Sequence, residues 1–228
     1  MPARGRYHRW MSVPSRLPHL ADDEIHLWPM RLASCNEDAG HAVLPWLAAY
    51  LGVTPGDLTL GRGPFGKPAL EGVNARLSFS WSHTGEVALL GVAWELPELG
   101  VDIERDRPRP RLLDIAGRYF APDETSWLAA QPLESQQAAF LRLWTAKEAV
   151  LKAHGQGLSY GLHRVGFTWN DGPMANGFEG ELAPASRWSL VEPVIGPGLH
   201  AHVAWSDGQR TRRVLLPGGK EPFAHAPV

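Results

Sequence analysis

The chain contains almost no cysteine and carries little net charge. Cys35 is the one cysteine among 228 residues, which excludes an internal disulfide framework and favours a reducing compartment. The formal net charge is −2, so there is no extended field of one sign to attract nucleic acid or a membrane surface. Together these absences predict a cytoplasmic protein without a nucleic-acid or membrane partner.

Long apolar runs are also absent. The N-terminus carries basic residues with no apolar run behind them, so no secretory signal is expected, and no stretch approaches the length of a membrane span. Hydrophobic residues nevertheless make up 44% of the chain, which is ample for a packed core. A chain of this length forms one large domain or two small ones.

Periodicity and turn residues predict a mixture of helices and strands. Helical spacing occurs at residues 39–51, with Gly52 as a C-cap, and at residues 111–119, 122–129 and 133–153. Strand patterns occur at residues 26–32, 77–81, 87–94 and 100–104, and later at residues 166–169, 177–182, 188–191 and 200–205. Pro29 would place the first of these strands at a sheet edge.

Two carboxylates stand at the end of one predicted strand. Asp102 and Glu104 belong to the segment Gly-Val-Asp-Ile-Glu at residues 100–104. Because strand side chains alternate between faces, the two carboxylates share one face and Ile103 points to the core. Taken alone, such a pair is more simply interpreted as the solvated end of a strand.

The predicted helix at residues 133–153 carries a second polar set. Trp144, Glu148 and Lys152 are spaced four apart, which places them along one side of the helix. Two carboxylates on a strand and a third on a facing helix would form a site for a hard cation. A lysine one turn beyond the third carboxylate suits an anionic, phosphate-bearing substrate.

These two segments together resemble the 4′-phosphopantetheinyl transferases. Gly-Val-Asp-Ile-Glu followed by Trp-Thr-x-Lys-Glu-Ala-x-x-Lys is that family's paired signature, and the length is similar to that of its longer, monomeric branch. Three further segments match in family order: Gly66-Lys67-Pro68, Phe-x-x-Ser-His-Thr at residues 79–84, and residues 118–124. The resemblance covers roughly residues 58–162. Each motif alone is weak, but the ordered set identifies the chain as a member of this family.

The resemblance implies a fold as well. The family is α+β, with two similar α+β halves packed as a pseudo-dimer within one chain and the active site between them. On this basis the expected division is an N-terminal arm at residues 1–24, halves at residues 25–106 and 107–207, and a flexible tail at residues 208–228. A stretch rich in Pro and Arg, residues 105–111, is the expected boundary between the halves.

The resemblance also implies a reaction. A serine of an apo acyl or peptidyl carrier protein would attack the β-phosphate of coenzyme A, accept the 4′-phosphopantetheine group and release 3′,5′-ADP. Mg²⁺, or Mn²⁺ in its place, would be held by Asp102, Glu104 and Glu148. Glu148 is also the candidate general base, and the sequence does not separate its two roles. Lys152 would lie near the pyrophosphate and stabilise the developing charge.

Further contacts with coenzyme A follow from the same resemblance. Ser82 and His83 would meet the pyrophosphate, and Lys67 and Pro68 would meet the adenosine 3′-phosphate and adenine. Lys147 projects about 100° away from its neighbour around the helix, yet its long side chain could still reach a phosphate. The simpler interpretation of Lys147 is a lysine on a solvated helix face.

A phosphate-binding loop is the competing interpretation of residues 61–67. These residues satisfy the spacing Gly-x₄-Gly-Lys, but such a loop also needs a Ser or Thr after the lysine and a helix that opens there. Pro68 supplies neither a hydroxyl group nor a backbone donor. The sequence therefore disfavours a P-loop nucleotidase.

The chain departs from the family pattern near its N-terminus. His41 stands where the family has an arginine that grips the 3′-phosphate, and the basic helix before it is missing. His41 is therefore expected to contact the 3′-phosphate itself, as a weaker partner than a guanidinium, and Arg31, Arg62 or the basic arm are the alternative contacts. A non-catalytic relative that binds carrier proteins or coenzyme A is the alternative function, although the retained carboxylates favour an enzyme.

Overall fold

A computed structural model of the chain describes residues 13–32, 39–63, 65–169, 173–208, 210–217 and 226–227. Residues 1–12 of the predicted arm, Cys35, and residues 218–225 of the predicted tail lie outside these ranges. Within them the chain combines α-helices with β-sheets, which confirms the predicted α+β class. None of the described helices is both long and apolar enough to cross a membrane.

The elements follow one another in a mixed order along the chain. The helices are α1 (Ala39–Leu51), α2 (Leu112–Tyr119), α3 (Pro122–Ala129) and α4 (Leu133–His154). The strands of the N-terminal part are β1 (Glu24–Arg31), β2 (Leu60–Arg62), β3 (Pro68–Leu70), β4 (Leu77–Thr84), β5 (Val87–Trp94) and β6 (Leu99–Arg105). Those of the C-terminal part are β7 (Val165–Trp169), β8 (Pro173–Phe178), β9 (Trp188–Val191), β10 (Leu199–Ser206), β11 (Arg213–Leu215) and β12 (Ala226–Pro227).

Two four-stranded sheets form the centre of the fold. Their strand orders are β11-β1-β5-β4 and β12-β9-β10-β6. Alternate residues of both sheets, such as Leu27, Leu89, Val101 and Val203, belong to one shared core, so the two sheets face each other. The outer face of the first sheet packs on α1, and the outer face of the second packs on α4.

The expectation that Pro29 places the first strand at a sheet edge holds only for part of that strand, because β1 lies between β11 and β5 in the sheet. Strand β1 pairs with β5 over residues 26–31 but with β11 only at residues 24–26. Pro29 therefore lies where β1 has no described neighbour on its second side, and the missing N–H of proline is tolerated there.

The structure differs from the sequence-based expectation in three segments. Strand β6 pairs with β10, so it lies in the second sheet although residues 25–106 were expected to form the first half. Residues 213–215, placed in a flexible tail by the sequence, instead form β11 and pair in parallel with β1. The predicted strand at residues 177–182 is replaced by the end of β8 and a 3₁₀ turn. Gly180, with φ +59, cannot continue a strand.

Strand β4 extends past its predicted end and faces β6 with its hydroxyl groups. It continues to Thr84, and Gly85 takes the left-handed conformation of the turn with φ +61. The backbone N–H of Val101 donates to Ser80 Oγ at 3.1 Å, and that of Arg105 donates to Thr84 Oγ1 at 3.3 Å. The hydroxyl groups of β4 thus bind the backbone of β6 along the line where the two sheets meet.

Helix α4 packs directly against β6 at a glycine. A Cβ atom on Gly100 would lie 2.0 Å from the carbonyl oxygen of Ala149 and 2.4 Å from the backbone nitrogen of Ala153. No side chain fits at this distance, so the absence of one lets the helix backbone touch the strand. This contact brings the last turns of α4 over the carboxylates of β6.

We expect Gly100→Ala to destabilise the fold by about 1–3 kcal/mol or more, because the added methyl group must push α4 away from β6. Gly117→Ala is the matched control: Gly117 lies in α2, and a Cβ there would meet nothing within 4 Å. That change should stabilise the helix by about 0.5–1 kcal/mol. Chemical denaturation of both variants measures the difference. If Gly100→Ala were as stable as Gly117→Ala, the fold would not depend on the close contact between α4 and β6.

Candidate active site

Three elements meet at the carboxylate of Asp102. The Nζ atom of Lys152, on α4, donates to Asp102 Oδ1 at 2.6 Å and to Ser82 Oγ at 2.8 Å. Ser82, on β4, donates its own hydroxyl to Asp102 Oδ1 at 2.7 Å. Asp102 is buried, whereas 30% of the Lys152 side chain is exposed. Ser82, Asp102 and Lys152, one predicted site residue from each of β4, β6 and α4, are therefore brought together.

Two further carboxylates lie in the same electrostatic environment. Burial, reinforced by the negative charge of Asp102, raises the pKa of Glu148 to about 7, while Lys152 acts in the opposite direction. Burial also raises the pKa of Glu104, although Arg109 Nη2 donates to Glu104 Oε2 at 2.8 Å and opposes the shift. The carboxylates thus repel one another, and a bound cation would relieve that repulsion.

The described residues do not form a ready-made metal cage. Among them, no group of three His, Cys, Asp or Glu side chains is arranged to hold a metal ion. The chemistry of the site nevertheless fits a hard cation. Asp102 Oδ2 is buried and has no hydrogen-bond partner in the described part of the chain, and Glu148 is crowded by negative charge. Asp102 and Glu104 currently hold Lys152 and Arg109 as their positive partners.

A cavity of about 480 Å³ opens beside Lys152. The predicted contacts Ser82, His83, Lys67 and Pro68 all line it. The His83 ring stacks on Trp81, with 5.8 Å between ring centroids and 11° between the planes. Pro68 begins strand β3 rather than a helix, which confirms that residues 61–67 are not a phosphate-binding loop.

The ammonium group of Lys67 does not face the cavity as a free cation. It donates to the carbonyl oxygens of Pro97 at 2.7 Å, Leu99 at 3.0 Å and Ala153 at 2.8 Å. These contacts use all three donors of an ammonium group. Burial lowers the pKa of Lys67 to about 8. Lys67 therefore joins the β2–β3 hairpin to β6 and to the end of α4 through its ammonium group.

The predicted phosphate contact of Lys147 is wrong. Its side chain is fully buried, and Nζ lies 2.7 Å from Glu124 Oε2. It also donates to the carbonyl oxygens of Leu162, at 3.0 Å, and Val165. Burial lowers the pKa of Lys147 to about 8 even with Glu124 beside it. The lysine joins α4 to α3 and to the segment before β7, on the side of the helix away from the site.

The residue expected to replace the family's arginine is not at the cavity. His41 is exposed on α1 and is not among the cavity-lining residues, so its role toward a 3′-phosphate stays a prediction. Residues 33–38, just before α1, lie outside the described ranges. Of the candidate replacements, Arg31 forms an exposed ion pair with Glu86 at 2.7 Å, whereas Arg62 lines the cavity.

Arg109 and Thr84 are neighbours of the site to which the sequence analysis gave no role, although Thr84 ends the motif at residues 79–84. Arg109 binds Glu104, and Thr84 Oγ1 lies 3.4 Å from Glu104 Oε2. The signal for Arg109 was hidden, because the Pro- and Arg-rich stretch was interpreted as a boundary. The alternation of hydroxyl residues at positions 78, 80, 82 and 84 could have indicated that Thr84 shares a face with Ser82.

We expect Lys147→Met and Lys152→Met to have different effects, although both change the same residue type on one helix. Lys147→Met leaves Glu124 buried without its cation and should cost about 3–5 kcal/mol of stability. Molecules that remain folded should keep wild-type affinity for coenzyme A. Lys152→Met should lose transfer activity instead, at a smaller cost in stability. Denaturation and calorimetric binding measure both effects. If a fully stable Lys147→Met variant bound coenzyme A weakly, that result would support the original prediction that Lys147 contacts a phosphate.

We expect the metal-free protein to lose stability as the pH rises. The pKa of Glu148 is raised from 4.5 to about 7, so the stability that its protonated form contributes is present below about pH 4.5 and is lost as the pH passes about 7. Relative to Glu148→Gln, the wild type in EDTA should become less stable by up to about 3 kcal/mol between acidic and mildly alkaline pH. Denaturation across this range, repeated with Mg²⁺, measures the effect. Parallel pH profiles would contradict the shift.

Comparison with known proteins agrees with this geometry. The family model described as 4′-phosphopantetheinyl transferase superfamily matches residues 98–194. The chain is 32% identical to the 4′-phosphopantetheinyl transferase HetI of Nostoc sp., over 86% of this chain and 93% of that protein. It is 42% identical to a putative 4′-phosphopantetheinyl transferase of Synechocystis sp., over 52% of this chain and 48% of that protein.

The 4′-phosphopantetheinyl transferase Sfp of Bacillus subtilis is 33% identical, over 46% of this chain and 45% of its own length. The matches with Sfp and the Synechocystis protein cover about half of each chain, whereas the match with HetI extends over most of both. The family suggested by the sequence motifs is therefore confirmed, and the chain belongs to the 4′-phosphopantetheinyl transferase superfamily.

Proposed function

We propose that the chain transfers the 4′-phosphopantetheine group of coenzyme A to a serine of an apo acyl or peptidyl carrier protein and releases 3′,5′-ADP. The observation that carries this proposal is the meeting of Lys152, Ser82 and Asp102, of which Lys152 and Ser82 line the cavity. Glu148 is coupled electrostatically to Asp102 and Lys152. The site combines a phosphate-binding cation with a carboxylate cluster and a base of suitable pKa. The relatives are named for this activity. No comparable observation favours a non-catalytic binding protein.

Asp102, Glu104 and Glu148 are the residues that would hold Mg²⁺, or Mn²⁺ in its place. Such a cation neutralises the charge of the phosphates during phosphoryl transfer. Asp102 Oδ2 is the oxygen that lacks a partner among the described residues and is therefore available as a ligand. Arg109 keeps Glu104 oriented at the end of β6.

The cavity supplies contacts for the phosphates of coenzyme A. Lys152 is held by Asp102 and Ser82 at the cavity. From that position its ammonium group would meet the β-phosphate and stabilise the negative charge that develops there. His83 lines the same wall and can donate a ring N–H to the pyrophosphate. Arg62 is the guanidinium at the cavity and is our candidate for the 3′-phosphate contact in place of His41.

Glu148 would accept the proton of the attacking serine. A pKa near 7 suits a general base at neutral pH, because the carboxylate is ionised in part of the molecules and can still hold the proton it removes. The one-turn spacing between Glu148 and Lys152 places the base and the phosphate-binding cation on the same side of α4. This arrangement allows the serine to approach between them.

The two central sheets with α1 and α4 on their outer faces make four layers. We further propose that these layers are two similar α+β halves of a monomer, packed as a pseudo-dimer. Each central sheet carries a helix on its outer face. The sequence Val-Ala-Trp occurs in β5 and again in β10, and both strands have a neighbour on either side in their sheets. The site lies where the sheets meet. A cytoplasmic location is consistent with the single cysteine.

The carrier protein would approach over a basic rim next to the carboxylates. Arg105 and Arg107 are exposed at and just beyond the end of β6, and Arg107 Nη2 donates to Thr84 Oγ1 at 3.1 Å. A positive rim beside the catalytic carboxylates favours an acidic protein as the acceptor.

We expect transfer to require a divalent cation and to fail in Asp102→Ala. The loss should be about 10²-fold or more, because a metal contributes several kcal/mol of charge stabilisation. The assay weighs several apo-carrier proteins after incubation with coenzyme A and Mg²⁺, with or without EDTA. Asp114→Ala is the control, since Asp114 is exposed on α2. Full activity in EDTA would refute the requirement for a divalent cation. If none of the carrier proteins gained the group, the proposed function would be refuted.

A further inference from the structure

A buried histidine outside the cavity connects α4 to the second sheet. His202 of β10 is fully buried, and its Nδ1 atom lies 2.7 Å from the Oγ1 atom of Thr145. Thr145 is also fully buried. Neither residue lines the cavity, so neither is placed to contact coenzyme A directly.

The position of this hydrogen bond relates it to two site residues. His202 lies directly opposite Asp102 in the pairing of β10 with β6, so the two side chains share the face that α4 covers. Thr145 precedes Glu148 by three positions on α4, which is about one turn of the same helix side. The bond therefore joins the strand pair that carries Asp102 to the helical turn that carries Glu148.

The direction of the hydrogen bond follows from the other contacts of Thr145. Its hydroxyl donates to the carbonyl oxygen of Leu141 at 2.9 Å, with that of Arg142 at 3.2 Å as the alternative acceptor. Because a hydroxyl has one proton, Thr145 Oγ1 accepts the second bond, and the Nδ1–H of His202 donates it. Burial lowers the pKa of His202 to about 4, so the ring is neutral. The proton is assigned to Nδ1 on the basis of the Thr145 hydrogen bonds.

This choice of residue is costly if its purpose is only packing. The Nε2 atom of His202 is buried and has no hydrogen-bond partner among the described residues. An unsatisfied buried polar atom typically costs about 1–3 kcal/mol, whereas an apolar residue of similar volume would avoid that cost. Among the described residues, the bond to Thr145 is the hydrogen bond that the structure shows for His202, so it is the contact whose role can be tested.

We propose that the His202–Thr145 hydrogen bond sets the position of Glu148 relative to Asp102, so that both carboxylates can hold one cation. His202 and Thr145 are then positioning residues for the transfer reaction. The inference rests on the proposed function, because that function assigns the cation to Asp102 and Glu148. Groups hydrogen-bonded directly to a metal ligand typically contribute 10- to 100-fold in metal affinity or activity, and a bond one step further out, as here, is expected to act at the lower end of that range.

The variants are chosen to remove the bond without changing the shape of the core. Thr145→Val replaces the hydroxyl by a methyl group, and Thr145→Ser keeps the hydroxyl. Thr125→Val is the matched control, because Thr125 of α3 also donates its hydroxyl to a carbonyl four residues back, at 3.2 Å, but lies outside the site. His202→Leu removes the donor from the other side, and the double variant Thr145→Val/His202→Leu tests whether the two act as one.

The experiment measures Mn²⁺ binding by calorimetry, kcat and KM with coenzyme A and a carrier protein, and thermal stability. Thr145→Val should weaken Mn²⁺ binding and lower kcat by about tenfold each. KM for coenzyme A should stay within about twofold, because neither residue lines the cavity. Thr145→Ser should restore both values, Thr125→Val should match the wild type, and the double variant should be no worse than the poorer single variant.

The possible failures are distinguishable. Wild-type Mn²⁺ affinity and kcat in Thr145→Val, even with reduced thermal stability, would show that the bond is merely structural and would overturn the inference alone. Additive losses in the double variant would do the same. A wild-type protein that neither binds Mn²⁺ nor transfers would overturn the proposed function. If Thr145→Val does not fold, His202→Asn, whose amide can still donate to Thr145, is compared with His202→Leu by the same criteria.

Discussion

The close contact between α4 and β6 at Gly100 is the constraint on which the site depends. Because the backbone of α4 lies against β6, the Lys152 side chain reaches Asp102, and Glu148 is carried on the same side of the helix. The hydroxyl groups of β4 bind the edge of β6 that is not paired with β10. The backbone N–H of Val101, for example, donates to Ser80 Oγ. Strand β6 is thus held on two sides, which keeps its carboxylates in place despite their mutual repulsion.

The lysines of the sequence motifs divide into two classes of contact. Lys67 and Lys147 each donate to several backbone or carboxylate oxygens and thereby hold neighbouring elements of the fold together. Lys152 is the lysine that retains exposure at the cavity, and Arg62 is a guanidinium there. The cavity therefore has few cations for an anionic substrate, so each of them carries a large share of its recognition.

The sequence predicted the elements more accurately than their partners. Period and capping gave α1 and α4 almost to the residue, because Gly52 and Gly155 take the left-handed conformation that ends a helix. The shared face of Asp102 and Glu104 followed from strand alternation. Helical spacing could not show that the side of α4 bearing Lys147 is covered by Glu124, because a sequence gives the faces of a helix and not what packs on them. The pairing of β6 with β10 and of β11 with β1 could not be predicted for the same reason.

The pairing of β11 with β1 has a consequence for how the chain folds. Arg213 donates to Asp23 and Glu24 across about 190 positions of sequence, and Val214 completes a core that both sheets share. On a ribosome, the first sheet would have to wait for residues 213–215 before its edge could close. Contacts between segments so far apart in sequence slow folding, so the edge that β11 forms with β1 closes late.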